Sequence, residues 1–85
     1  MIVQDMIQKK FIWESPDTHA YVQYEIKGPR FIILHTIVPD ALSGRGIAAR
    51  LVEAAVNWAE GQGYEIGSVC SYADVWLKRR DMHRP

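Results

Sequence analysis

The chain holds one cysteine, Cys70, in 85 residues. A lone thiol cannot close an internal disulfide, so the staples that hold many small secreted domains together are excluded. A reducing, cytoplasmic setting is the expectation. No apolar run approaches the roughly 18 residues that span a membrane. Residues 1–10 lack the apolar stretch of a secretory leader. Neither sign of charge is in excess, with ten Lys plus Arg against ten Asp plus Glu. The chain as a whole therefore lacks the basic field that nucleic-acid binding draws on, although Lys78, Arg79, Arg80 and Arg84 crowd its end. Repeats and low-complexity tracts are missing. His19, His35, Cys70 and His83 do not fall at metal-ligand spacing, so no metal site is expected.

What is present suits one compact unit, expected to span residues 1–85. The apolar share is 48%, too high for a disordered chain, so a core is available. That core must be thin at this length. Three Trp, four Tyr and two Phe supply large apolar pieces for it.

Residues 9–15, KKFIWES, read as a short strand that stops at the turn cluster Ser15-Pro16-Asp17. Over residues 18–28, Ala20, Val22, Tyr24 and Ile26 alternate with His19, Tyr21, Gln23 and Glu25. That period of two predicts an antiparallel strand with one wetter face. Residues 27–30 form a tight connection to a third strand over 30–39. This strand is apolar on both faces apart from His35 and Thr36, which predicts a central strand covered on both sides. In it, His35 shares a face with Phe31, Ile33 and Ile37.

From Ile47 onward, apolar residues recur at three and four: Ala48, Leu51, Val52, Ala55, Trp58 and Ala59. That is a helix, with stop signals at Gly61 and Gly63. A short strand over 64–69 and a second helix over 71–80 complete the order β-β-β-α-β-α. The strand-helix-strand part implies a parallel crossover, and the early hairpins are antiparallel. The fold class is α/β (α+β): a mixed, largely antiparallel sheet with helices packed on it. Trp58 and Trp76 belong to its core.

Between the third strand and the first helix stands Ser43-Gly44-Arg45-Gly46. A helix start offers unpaired N–H groups and partial positive charge, and glycines let an anion approach. Arg45 adds a cation suited to a charge-assisted contact. The loop is not a P-loop, because no Gly-Lys-Ser/Thr follows, and Ala49 stands where a dinucleotide motif needs its third glycine. A loose turn at the helix entry is the plainer alternative.

The stretches HTIVPDALSGRGIAARLVEAAVNWA and VCSYADVWLKR resemble the short, single-domain GCN5-related N-acetyltransferase-like proteins. The resemblance spans residues 11–80. It is most specific at His35-Thr36 with Val38-Pro39, at residues 44–48, and at Cys70-Ser71-Tyr72. It implies a minimal acetyl-CoA N-acyltransferase-like fold that binds acetyl-CoA and acetylates an amine. The superfamily loop reads Arg or Gln, two residues, Gly, one residue, Gly or Ala. Gly46 and Ala48 match its last two marked positions, and Ser43 stands in place of the long polar residue. Ser68 and Arg80 stand where the short family often has Pro and His. By this resemblance Ser43, Gly44, Arg45, Gly46, Ile47 and Ala48 line the pyrophosphate. The strand backbone at Thr36, Ile37 and Val38 passes the acetyl group, where its amides can polarise the thioester carbonyl.

Cys70 lies at the junction between the last strand and the second helix, and a thiolate at a helix N-terminus is favoured by the helix dipole. The resemblance places it near the acyl thioester, as a nucleophile that forms an acyl-enzyme. Direct attack by a bound amine needs no such step, and a buried, apolar cysteine is the plain reading. His35 is either a core histidine or a general base. Tyr72 either gives a proton to the leaving thiolate or packs on the sheet. Residues 78–80 suit a helix C-terminus, with the CoA 3′-phosphate or an acidic partner as the alternative. Three functions follow: an acetyl-CoA-dependent N-acetyltransferase, a non-catalytic module binding CoA or acyl-CoA, and a protein-interaction domain. The larger enzymes' strand-helix-helix segment that builds the acceptor side has no counterpart here.

Overall fold

The computed structural model describes residues 1–82. His83 and Arg84, named above, lie outside them. The strands are β1 (Ile2–Asp5), β2 (Lys10–Glu14), β3 (His19–Lys27), β4 (Arg30–Ile37) and β5 (Glu65–Ser68). They form one sheet in the order β1-β2-β3-β4-β5. The first four pair antiparallel, and β5 lies parallel to β4. The helices are α1 (Ile47–Gly61), which makes the β4–β5 crossover, and α2 (Ser71–Met82). The expected order is thus found with one strand more, β1, at its start.

The alternation read in β3 is real. Ala20, Val22 and Tyr24 are buried, and Tyr24 stacks on Phe31 with ring centroids 4.5 Å apart. Across these residues α1 lays Ile47, Leu51, Val52, Ala55, Val56 and Ala59, all buried. Their spacing at three and four makes one continuous apolar stripe, so the helix has a single way to sit on the sheet. Trp58 joins the same aromatic group, 5.9 Å from Phe31. In α2, Ala73, Trp76, Leu77 and Arg80 face inward; Ala73 is in the core, with Trp76 and Leu77 against it. Both helices therefore cover the same face of the sheet.

The Arg80 guanidinium lies 5.6 Å from the centre of the Trp76 ring and 3.1 Å from the Glu60 carboxylate of α1. It ties the last turn of α2 to α1. Arg80→Ala is expected to lower stability by about 1 kcal/mol, read as an earlier denaturant midpoint at unchanged slope.

Two expectations for β4 are overturned. Among the described residues nothing covers the second face of the sheet. Ile32 and Leu34 are only half-buried there, and Ile37 is 45% exposed. The apolar character of both faces did not mean two covering layers. His35 also does not share a face with Phe31 and Ile33. The β3–β4 register slips by one between Gln23 and Tyr24: Tyr24 pairs with Ile33, but Gln23 pairs with His35, leaving Leu34 as the extra residue. A bulge of this kind reverses which residues face which side. Beyond it, Thr36 pairs with the buried Val22 and turns toward the helices. His35 and Ile37 turn to the uncovered face, and His35 is exposed rather than a core histidine.

Candidate functional site

Two loops meet at the C-terminal end of β4. The first follows β4 directly. Asp40–Leu42 forms one 3₁₀ turn, closed by the Leu42 N–H on the Pro39 carbonyl at 2.9 Å. Leu42 is buried on one side of the loop and Ile47 on the other. Residues 43–46 arch between these two anchors, all four exposed.

Gly44 and Gly46 both hold left-handed backbone, at φ +77° and +72°. This conformation is costly for residues with a Cβ, which is why glycine occupies both positions. Gly46 is the N-cap of α1, and no side chain caps the helix. The first intrahelical bond runs from the Arg50 N–H to the Gly46 carbonyl, at 3.2 Å. The N–H groups of the turn before it are therefore left without helical partners. No acidic residue stands in that first turn to use the positive end of the helix. A Cβ built at Gly44 or Gly46 would meet nothing within 4 Å, so the space beside the loop is open. Arg45 is exposed, with no ion pair among the described residues. Free amides, a helix dipole and an exposed cation around open space are the elements from which anion sites are built.

Ser43 has a different job. Its hydroxyl donates to the Asp40 carbonyl at 2.8 Å, and its N–H donates to the same oxygen at 3.1 Å. The side chain closes the 3₁₀ turn instead of reaching outward. Its one hydroxyl proton is thus committed inside the chain. Ile47 likewise points into the core and offers only its backbone to the loop, while Ala48 and Val38 are half-buried.

The second loop joins β5 to α2. β5 pairs with β4 only as far as Ile33 with Ser68, and the Val69 N–H on the Ile33 carbonyl, at 2.9 Å, is the last bond between them. The strands part there. β4 continues to Ile37 beside β3 alone, so its other edge has no strand partner from Leu34 onward. Cys70 sits across this gap, half-buried. Its carbonyl accepts from the Asp74 N–H at 2.9 Å, which places it just before α2 as the acceptor of the helix's first bond. The Ser68 hydroxyl fixes its backbone twice, accepting from the Cys70 N–H and donating to the Cys70 carbonyl, each at 3.0 Å. The Cys70 Sγ then lies 3.5 Å from the Thr36 Oγ1.

The structure therefore brings together Thr36 and Cys70, with the glycine loop following the same strand end. It does not bring in His35, which lies on the opposite face of the sheet. Tyr72 is 42% exposed, with no hydrogen bond to Cys70 or Thr36 among the described residues. Two contributors escaped the sequence: the Thr36 hydroxyl and Ser68. Ser68 follows a turn pattern, two residues before a helix start. Thr36 depends on a bulge that no glycine or proline announces. A groove of about 550 Å³ on the uncovered face, lined by Lys10, Asp17, His19 and Tyr21 among others, contains none of the expected site residues.

Residues 10–84 match the family model described as GCN5-related N-acetyl-transferase. The chain belongs to that family. Its structure superposes on a Staphylococcus aureus protein, solved by NMR and described as a candidate GCN5-like N-acetyltransferase, with a TM-score of 0.76. The two share 28% identity, and the match covers 96% of this chain and 81% of the other. Protein NATD1 of Homo sapiens is 36% identical over 64 residues, 74% of this chain and 57% of that protein. The Gallus gallus NATD1 is equally similar, with 58% of its length matched. The chain thus spans somewhat over half the length of these relatives. The whole chain also matches, at 28% identity, 15% of the Arabidopsis thaliana protein called "Probable E3 ubiquitin-protein ligase ARI10". The family and the fold make this an acetyltransferase-like domain. No helix of the described residues is long and apolar enough to cross a membrane.

Proposed function

We propose that residues 1–85 act as one domain that binds acetyl-CoA and transfers its acetyl group to an amine, with Cys70 carrying the group in between. The observation that supports this most is the convergence at the end of β4. An anion site at residues 43–46 and a cysteine at residue 70 flank the one stretch of β4 with a bare backbone edge. CoA offers a pyrophosphate to the first, and acetyl-CoA offers a thioester to the second. Backbone amides of residues 44–48 would hold the pyrophosphate, with Arg45 as a charge-assisted contact. A single free thiol fits a reducing, cytoplasmic setting.

A thermal-shift titration with CoA and acetyl-CoA tests the reading. Ligand at a hundred times its Kd stabilises a domain by about 2.7 kcal/mol. In a chain of this size that raises the Tm by roughly 10 °C or more. No shift at millimolar ligand would sink the proposal.

Ser43 favours a second reading, that of a binding or interaction module without turnover. Its committed hydroxyl leaves the loop without a long polar arm. The resemblance of the whole chain to a small part of a ubiquitin ligase suits a module inside a longer protein. A CoA-binding module predicts saturable CoA binding with no acetylated cysteine and no acetylated amine, and an interaction module predicts no CoA binding.

A further inference from the structure

We propose that the Thr36 hydroxyl is the positioning residue of the Cys70 sulfur, placed there by the bulge in β4. The proposal rests on the reading of Cys70 as the acetyl carrier. Without the extra residue at Leu34, the side that Phe31 and Ile33 face would continue to His35 and Ile37, and Thr36 would point to the uncovered face. The register slip exchanges them. A regular strand would turn an imidazole toward the helices at this point; the bulged strand turns a hydroxyl there instead.

Other polar groups near the sulfur are otherwise engaged. Ser68 spends its hydroxyl on the Cys70 backbone, donating to one group and accepting from another. It holds the main chain and leaves the thiol alone. Tyr72 makes no hydrogen bond to the sulfur among the described residues, and His35 lies across the sheet. Among the described residues, Thr36 makes the side-chain hydrogen bond to the sulfur, at 3.5 Å across 34 positions of sequence. Threonine is branched at Cβ, so its χ1 is stiff and the hydroxyl is held in one direction.

Either atom can donate, and this is what makes the pair useful. With the thiol neutral, its weak S–H donor faces the hydroxyl oxygen. With the proton gone, the hydroxyl turns its own hydrogen to the sulfur in a stronger, charge-assisted bond. In the first half-reaction a bond forms between the Cys70 sulfur and the acetyl carbonyl carbon. The bond from that carbon to the CoA sulfur breaks, and the Cys70 proton ends on CoA, which leaves as the thiol. In the second half-reaction the amine nitrogen bonds to the acetyl carbonyl carbon, and the bond from that carbon to the Cys70 sulfur breaks. One of its protons returns to the Cys70 sulfur, and Thr36 again faces a neutral thiol.

The test uses the full chain and iodoacetamide, without acetyl-CoA. Cys70 is the chain's only cysteine, so intact mass reports its alkylation alone. Thr36→Val removes the hydroxyl and keeps a β-branched strand residue. Near neutral pH its alkylation rate is expected to fall roughly three- to tenfold. Thr36→Ser should return the rate to within about twofold. The deficit of the valine variant should be larger near neutral pH than in strong base, whereas changed access would lower the rate equally at every pH. Equal rates for Thr36→Val and the native chain across the pH range would overturn the proposal. So would a deficit that is the same at every pH and is not relieved by serine, because that reports changed access. Should Thr36→Val fail to fold, Thr36→Ala carries the same comparison with serine. If acetyl-CoA never modifies Cys70, the carrier reading fails while the alkylation profile still decides the role of Thr36.

Discussion

Incubation with acetyl-CoA is expected to add about 42 Da to the native chain and nothing to Cys70→Ala. The contrast should be complete rather than graded, because the chain has one thiol and no second one can substitute. Lysines are the competing acetyl acceptors, and all of them persist in the alanine variant. An adduct on both proteins therefore reports lysine chemistry, and its resistance to neutral hydroxylamine separates it from a thioester. Amine turnover in Cys70→Ala is expected to fall by roughly two orders of magnitude or more, as when any covalent nucleophile is removed. His35→Ala provides the contrast. His35 is exposed on the sheet face that the helices do not cover, so its loss should leave the adduct in place. An adduct that needs His35 would mean that the imidazole reaches Cys70 around or through the sheet, and the assignment of sides would be wrong. Binding of CoA with no adduct on either protein would favour the module.

The parts of this arrangement that sequence could reveal are those with local causes. The alternation in β3 and the apolar stripe of α1 follow from side chains that repeat with the backbone's own period. Gly44 and Gly46 stood out because few other residues accept the backbone their loop adopts. β1 was invisible for the opposite reason. It has four residues; Ile2 faces the core, and Gln4 is held by a 3.2 Å hydrogen bond to the Tyr24 hydroxyl. Its extended form comes from pairing with β2, a tertiary cause. The bulge at Leu34 is equally silent. Nothing in Ile32-Ile33-Leu34-His35 departs from a regular strand until β3 imposes its register. That one silent residue decides which side chain meets Cys70, so the strand was legible while the face on which His35 lies was not. The uncovered face of β4 has the same lesson. Apolar residues on both sides say what a strand can bury, while the number of helices available decides what it does bury.

Ser43 shows how a substitution in the glycine loop can be absorbed. A hydroxyl immediately before the left-handed Gly44 has little reach, and here it closes the turn that sets up the arch. The loop's shape is thus maintained from within the chain, by Leu42 and Ile47 as anchors and Ser43 as clasp. Apart from the exposed Arg45, the grip the loop has on an anion must then come from its backbone, which places the burden on Gly46.

Gly46→Asn is expected to weaken CoA binding by roughly tenfold to a hundredfold, with the fold intact. Each lost hydrogen bond to a charged phosphate oxygen removes about 1.5–3 kcal/mol. Asparagine is chosen because it tolerates the left-handed region far better than other residues with a Cβ. The protein itself does not object to the added atoms, since a Cβ at this position meets nothing within 4 Å. The new side chain would stand in the open space that an anion needs beside the first-turn amides. Gly46→Val separates strain from obstruction: a branched residue at φ +72° should cost about 1–2 kcal/mol of stability in addition to blocking the ligand. Arg45→Ala should cost only a few-fold in affinity, and the difference from the native chain should shrink with added salt, because its exposed charge is screened. Isothermal titration with CoA at low and high salt reads all three. Native affinity in a folded Gly46→Asn would reduce residues 43–46 to a turn, and the acetyl donor would have to be held elsewhere on the domain.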